Sequence, residues 1–152
     1  MADNTKYPKV LVIHGPNLNM LGMREPEIYG HQTLEEINSA LTAQAEQLEV
    51  EVETFQSNHE GQIVDRIQQA HDAFDGVIIN PAAYTHTSIV IRDALSLLTI
   101  PIIEIHLSNI NKRESFRHTS LIADIVAARI SGFGPRGYLL ALEGLAHLLS
   151  GD

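Results

Sequence analysis

Glu104 and His106 stand two residues apart in the apolar run I-I-E-I-H at 102–106. If the run is a strand, both side chains project to the same face. A carboxylate there is costly unless paired, and an imidazole beside it is a natural partner. A solitary histidine in such a place reads first as a satisfied core residue, but Glu104 and the strand-end position reverse that reading. The carboxylate would orient the ring and favour its protonated form, which equips His106 as a general acid. A matching base is harder to find. A free phenol titrates near pKa ~10 and is a poor base, yet Arg24 lies five residues before Tyr29 in one loop, and an adjacent guanidinium favours phenolate. Without that neighbour a loop tyrosine reads as packing. Gly22 and Gly30 bracket the segment and could hinge it as a lid.

The elements that would position these groups alternate between strand and helix. Residues 9–14 form a short β-branched run suited to a buried central strand. Residues 15–30, G-P-N-L-N-M-L-G-M-R-E-P-E-I-Y-G, suit neither helix nor strand, and a connection of that length is more often a lid or binding loop than a spacer. T-L-E-E at 33–36 is a capping box opening a helix with Leu34, Ile37, Leu41, Ala45 and Leu48 on one face. Residues 50–56 mix apolar residues with acids as an edge strand does. A loop at 57–61 leads to a helix with Ile63, Ile67 and Ala70 inward. Residues 77–80 make the third strand, 89–98 a helix, 102–106 the fourth strand, 128–132 the fifth, and 138–149 the last helix. A polar loop at 108–120 and a short helical turn separate the fourth and fifth strands.

This order predicts a single α/β domain over 1–152, with 1–8 flexible. It would be a flavodoxin-like, doubly wound, five-stranded parallel sheet with helices on both faces and right-handed crossovers. Ligands of such sheets bind beyond the carboxyl ends of the strands, near the switch in strand order. The converging loops would bring Asn17, Arg24 and Tyr29 from the first strand together with Asn80 and His86 from the third. Glu104, His106, Ser108 and Arg117 would join them from around the fourth.

Composition narrows the partners. The chain has 152 residues, 44% hydrophobic content and a net charge of -9, which argues against nucleic acid because phosphate binding needs a basic face. The cations are unevenly placed: Arg24, Arg92, Lys112, Arg113, Arg117 and Arg136 fall in loops or at helix starts after strands, so a local pocket for a small anion is still available. There is no cysteine, which excludes disulfides and thiolate zinc sites and is compatible with a reducing cytoplasm. The polar start at 1–8 lacks the apolar core of a signal peptide, and no run approaches the roughly 20 apolar residues of a membrane span.

Taken together, the motifs resemble type II 3-dehydroquinate dehydratase, the type II dehydroquinase family. The matching elements are G-P-N-L-N at 15–19, L-G-x-R-E-P-x-x-Y-G at 21–30, Q-S-N-H-E-G at 56–61 and N-P-A-A-Y-T-H-T-S at 80–88. They continue with E-I-H-L-S-N at 104–109, R-E-x-F-R at 113–117 and G-x-x-G-Y-x-L-A-L at 134–142. One departure is His14, where many members carry Asn. The resemblance implies anti elimination of water from 3-dehydroquinate to 3-dehydroshikimate through an enolate, with no cofactor and no metal. It implies Tyr29 as the base, Arg24 lowering its pKa, Asn17 holding a water at the enolate oxygen, and His106, oriented by Glu104, protonating the departing hydroxyl. Asn80 and the amides of Leu107 and Ser108 would hold the carboxylate end, and His86 and Arg117 the ring hydroxyls. Asp93 would reach the site of a neighbouring subunit in a trimer, four of which assemble into a dodecamer. Residue chemistry alone reaches the reaction type and not the substrate.

Rival readings fare less well. The Schiff-base dehydroquinase is a (β/α)8 barrel of about 250 residues, and Lys6, Lys9 and Lys112 lie in a terminus, at a strand start and in a polar loop. A nucleotide- or flavin-binding module is the main alternative. G-F-G-P-R-G at 132–137 matches G-x-G-x-x-G, but the chain ends before a ribose-binding acid could follow, so a turn with close packing is expected instead. His59-Glu60 has Ile63 where a metallohydrolase helix needs its second histidine, and no acid cluster ends the first strand as a receiver domain requires.

Overall fold

The computed structural model describes residues 6–23, 25–29 and 31–151. Strand β1 (Lys9–His14) is central, and its buried run pairs in parallel with β2 (Glu51–Gln56) on one side and β3 (Gly76–Asn80) on the other. Strands β4 (Ile102–His106) and β5 (Ala128–Ser131) extend the sheet beyond β3, giving the all-parallel order β2-β1-β3-β4-β5. This is the flavodoxin-like order, with the direction of winding reversed between β1 and β3. The half-exposed, acid-rich β2 lies at the edge, as its pattern predicts.

The residues 15–30 depart from the expectation of a run without regular structure. They contain a 3-10 turn (Leu18–Met20) and a four-residue helix α1 (Pro26–Tyr29). Pro26 at the first helical position has a preset φ and no N–H to leave unpaired, and Glu27 favours the N-terminal end of the dipole. Helix α2 (Leu34–Leu48) is capped by Thr33, whose hydroxyl accepts the Glu36 N–H at 3.2 Å. Helices α3 (Glu60–Ala73), α4 (Ile89–Ser96) and α5 (Arg136–Ser150) complete the layers, α4 ending two residues earlier than its apolar pattern suggests. The polar connection at 108–120 holds two 3-10 turns, Ile110–Lys112 and Ser115–Arg117.

Strand alternation divides the core. Val10, Val12, Ile78, Ile103 and Ile105 face α2 and α5, where Ile37, Leu41, Leu142 and Leu145 cover them. Leu11, Ile13, Val77, Ile79 and Ile102 face α3 and α4 and meet Ile63, Ile67, Ile91 and Leu95. The same parity decides where the polar strand ends point. His14 and Asn80 continue the α2/α5 face, whereas Glu104 and His106 belong to the α3/α4 face. Both faces therefore contribute to the mouth of the sheet. Among the described residues no helix is long and apolar enough to cross a membrane.

Candidate active site

Glu104 and His106 end β4 as a buried pair, Glu104 Oε2 lying 2.6 Å from Nε2 of His106. The other carboxylate oxygen accepts from Ser120 Oγ at 3.0 Å and from Arg129 Nε at 3.1 Å, so the charge that the strand would otherwise strand in the core is surrounded by donors. Burial by itself would push the Glu104 carboxyl up. The hydrogen bond and charge of His106, with Arg129 and Ser120, outweigh it and hold the group below its ordinary value. A carboxylate only accepts, so Nε2 of His106 carries its proton toward Glu104 and Nδ1 is the nitrogen able to exchange a proton with a ligand.

The pocket in front of His106 is lined by Asn17, Asn80, His86, Leu107, Ser108, Arg113 and Arg117, with Pro16, Leu18, Ala82, Ala83 and Ile110 supplying apolar wall. It lies beyond the carboxyl ends of β1, β3 and β4, where the sheet order predicts it. The His86 ring stands 6.4 Å from that of His106 and nearly parallel to it. Its Nδ1 donates to the carbonyl of Thr119 at 2.8 Å, which leaves Nε2 as an acceptor. Burial, with the nearby His106 and Arg117, lowers the His86 pKa against the opposing pull of Thr119 and Glu104. The two histidines thus differ in role: one is paired with a carboxylate, the other is held neutral.

The strand-β1 side is a tied-down shelf. A side chain at Gly15 would stand 2.6 Å from the carbonyl oxygen of Pro81, so the loop crosses the end of β3 too closely for any other residue. Asn17 takes a left-handed conformation, φ 70°, and its N–H donates to Asn58 Oδ1 at 2.9 Å. Gln56 Nε2 reaches both the Gly15 carbonyl, at 3.1 Å, and Asn58 Oδ1, at 3.2 Å. The segment at 56–61, whose purpose its sequence leaves open, therefore holds the shelf from the end of β2.

Several expectations sort differently. Arg24 and the side chain of Tyr29 lie outside the described residues. The helix that ends in Tyr29 is placed beside the site, since its Glu27 and Ile28 line a second hollow together with Leu107, Ser108 and Arg113. Asp93 is exposed on α4 and does not line this pocket. Of the cations expected after the strands, Arg113 and Arg117 face the pocket among the described residues, while Arg92 forms an ion pair with Asp124. The glycine-rich pattern at 132–137 has its amides engaged: Gly132 N–H donates to the His106 carbonyl at 3.3 Å and Gly134 N–H to that of Leu107 at 2.8 Å. It is a turn that steadies the end of β4. Sequence reading gave no role to Asn58, although it sits in the Q-S-N-H-E-G motif, and missed Ser120 and Arg129, which carry no local signal; each acts on a site residue distant in the chain or on another element.

A family model described as "Dehydroquinase class II" matches residues 8–146. The 3-dehydroquinate dehydratase of Acaryochloris marina is 58% identical over 142 residues, covering 93% of this chain and 95% of the relative. The type II dehydroquinase crystal structure from Butyrivibrio crossotus superposes with a TM-score of 0.90 at 46% identity, over 93% of this chain and 99% of that one. That from Propionibacterium acnes gives 0.89 at 44% identity, over 94% and 97%. With the β2-β1-β3-β4-β5 sheet and a carboxylate–histidine pair at its mouth, the chain belongs to the class II dehydroquinase family.

Proposed function

We propose that the protein is a 3-dehydroquinate dehydratase, a hydro-lyase that removes water from 3-dehydroquinate by anti elimination through an enolate. The observation that carries this reading is the buried Glu104–His106 pair facing a pocket that also holds a neutral His86 and two arginines, Arg113 and Arg117. Tyr29, as phenolate favoured by Arg24, removes the proton α to the ketone. Electron density moves to the ketone oxygen, and a water held by Asn17 stabilises that enolate. As the enolate collapses, imidazolium His106 gives its Nδ1 proton to the departing hydroxyl and returns to the neutral ring that Glu104 orients. Asn80 and the backbone of Leu107 and Ser108 take the substrate carboxylate, while His86 Nε2 accepts from one ring hydroxyl and Arg117 donates to another.

Asp93, exposed and away from its own pocket, fits a role in the pocket of a neighbouring copy, in trimers that assemble into a cytoplasmic dodecamer. Adding 3-dehydroquinate and following the conjugated enone absorbance of 3-dehydroshikimate tests the activity directly; a flat trace with folded protein rejects it. Borohydride added with substrate should leave no covalent adduct, and light scattering should give the mass of twelve chains.

A further inference from the structure

Asn80 reaches its pocket at the end of a buried polar chain. Its Nδ2 lies 3.2 Å from the hydroxyl of Tyr138, that hydroxyl lies 2.9 Å from Nδ1 of His14, and Nε2 of His14 lies 2.8 Å from Oδ1 of Asn38 on α2. Tyr138 and His14 have no exposed surface and Asn80 has 3%. The direction of the chain follows from its end. Asn80 Oδ1 already accepts the Ala82 N–H at 3.1 Å, so the group facing Tyr138 is the amide nitrogen and can only donate. The Tyr138 proton must then go to a bare Nδ1 of His14, and the ring's own proton, on Nε2, to Asn38. Each of the three bonds then has one donor and one acceptor. Burial lowers the His14 pKa to about 4 against the opposing Asn38 bond, and raises that of Tyr138 against the Asn80 bond, so both stay neutral near pH 7.

One N–H of Asn80 is engaged by Tyr138, and the other is left for the pocket that Asn80 lines. We propose that His14 and Tyr138 are positioning residues for substrate binding, holding the Asn80 amide so that its remaining N–H meets the substrate carboxylate. The proposal rests on Asn80 being a ligand of that carboxylate, as inferred above. A buried network whose bonds each have a defined direction specifies one geometry, and removing the hydroxyl of Tyr138 leaves a buried Asn80 N–H unpaired.

The test is steady-state kinetics with 3-dehydroquinate on Asn80→Ala, Tyr138→Phe and the double variant. Tyr138→Phe keeps the ring and its volume. Asn80→Ala is expected to raise KM on the order of tenfold, and Tyr138→Phe about threefold to tenfold with kcat within about twofold of wild type, because the lost interaction is made in ground and transition states alike. In the Asn80→Ala background Tyr138→Phe should add nothing. If Tyr138→Phe does not fold, the half-buried Asn38→Ala replaces it, with a KM rise in the same direction. Nitrogen-15 NMR should find His14 protonated on Nε2 and bare on Nδ1. A folded Tyr138→Phe enzyme with wild-type KM overturns the proposal, as does an effect that persists undiminished without Asn80, or a His14 protonated on Nδ1. An Asn80→Ala enzyme with wild-type KM instead removes Asn80 from the substrate, and the relay falls with that assignment.

Discussion

Nε2 of His106 and Oε2 of Glu104 are 2.6 Å apart with both side chains buried at the end of β4. The bond commits Nε2 and leaves Nδ1 as the nitrogen able to exchange a proton, and in the acid role proposed for His106 the carboxylate would offset the positive charge. Glu104→Gln keeps the size and removes the charge. Turnover should fall on the order of a hundredfold or more, with KM changed far less. Wild-type kcat in that variant would take the pair out of the chemistry.

Tyr29→Phe should abolish turnover while leaving substrate binding largely intact, measured by rapid kinetics and by equilibrium binding. Arg24→Ala should reduce turnover strongly and move the basic pKa of the rate profile upward, because the cation that favours phenolate is gone. A pH profile matching wild type in Arg24→Ala would remove Arg24 from control of the base, and unchanged turnover in Tyr29→Phe would assign the base to another residue.

Asn58 accepts the N–H of Asn17 and so holds a left-handed backbone that asparagine tolerates better than most residues. Asn58→Ala should leave the fold intact by circular dichroism and lower kcat by roughly tenfold through loss of one positioning bond. Combined with Asn17→Ala, the second loss should vanish; additive losses would mean that Asn58 acts elsewhere.

Stability should depend on His14 in mild acid. Its folded pKa, about 4, lies below the ordinary 6.5, so between those values the unfolded chain binds a proton that the folded protein refuses. The stabilising contribution is complete above about pH 6.5 and declines by about 1.4 kcal/mol per pH unit as the pH falls toward the folded value, below which it declines no further. Glu104, whose folded pKa is also lowered, contributes in the same sense but only below its ordinary 4.5. Thermal melts at pH 7 and pH 5 should therefore separate wild type from His14→Gln, with the variant losing less on acidification. Equal losses would mean that His14 does not carry the effect.

Much of the site is legible in the chain because its signals are local. Glu104 and His106 share a strand, so alternation alone places them on one face. Gly15 and the 56–61 segment also announce themselves as special without saying why. What escapes is any partner that arrives from another element. Arg129 meets Glu104 from the neighbouring strand, in a register only sheet pairing sets, and Ser120 reaches it from the loop between those strands. The cations mislead for the same reason: Arg92 follows a strand as a pocket residue would, yet α4 carries it to Asp124.

The sequence by itself determined the alternation of strands and helices, the buried and edge characters of β1 and β2, and the residue types gathered at the strand ends. These follow from periodicity, capping and apolar content, which act over a few residues. The tertiary structure alone decided which groups are paired and in which direction their protons run. His14 and Tyr138 lie 124 residues apart, and their hydrogen bond exists because β1 and α5 are packed on the same face of the sheet. A buried donor must find an acceptor in the surroundings that the fold supplies, and no local pattern in the chain encodes that match.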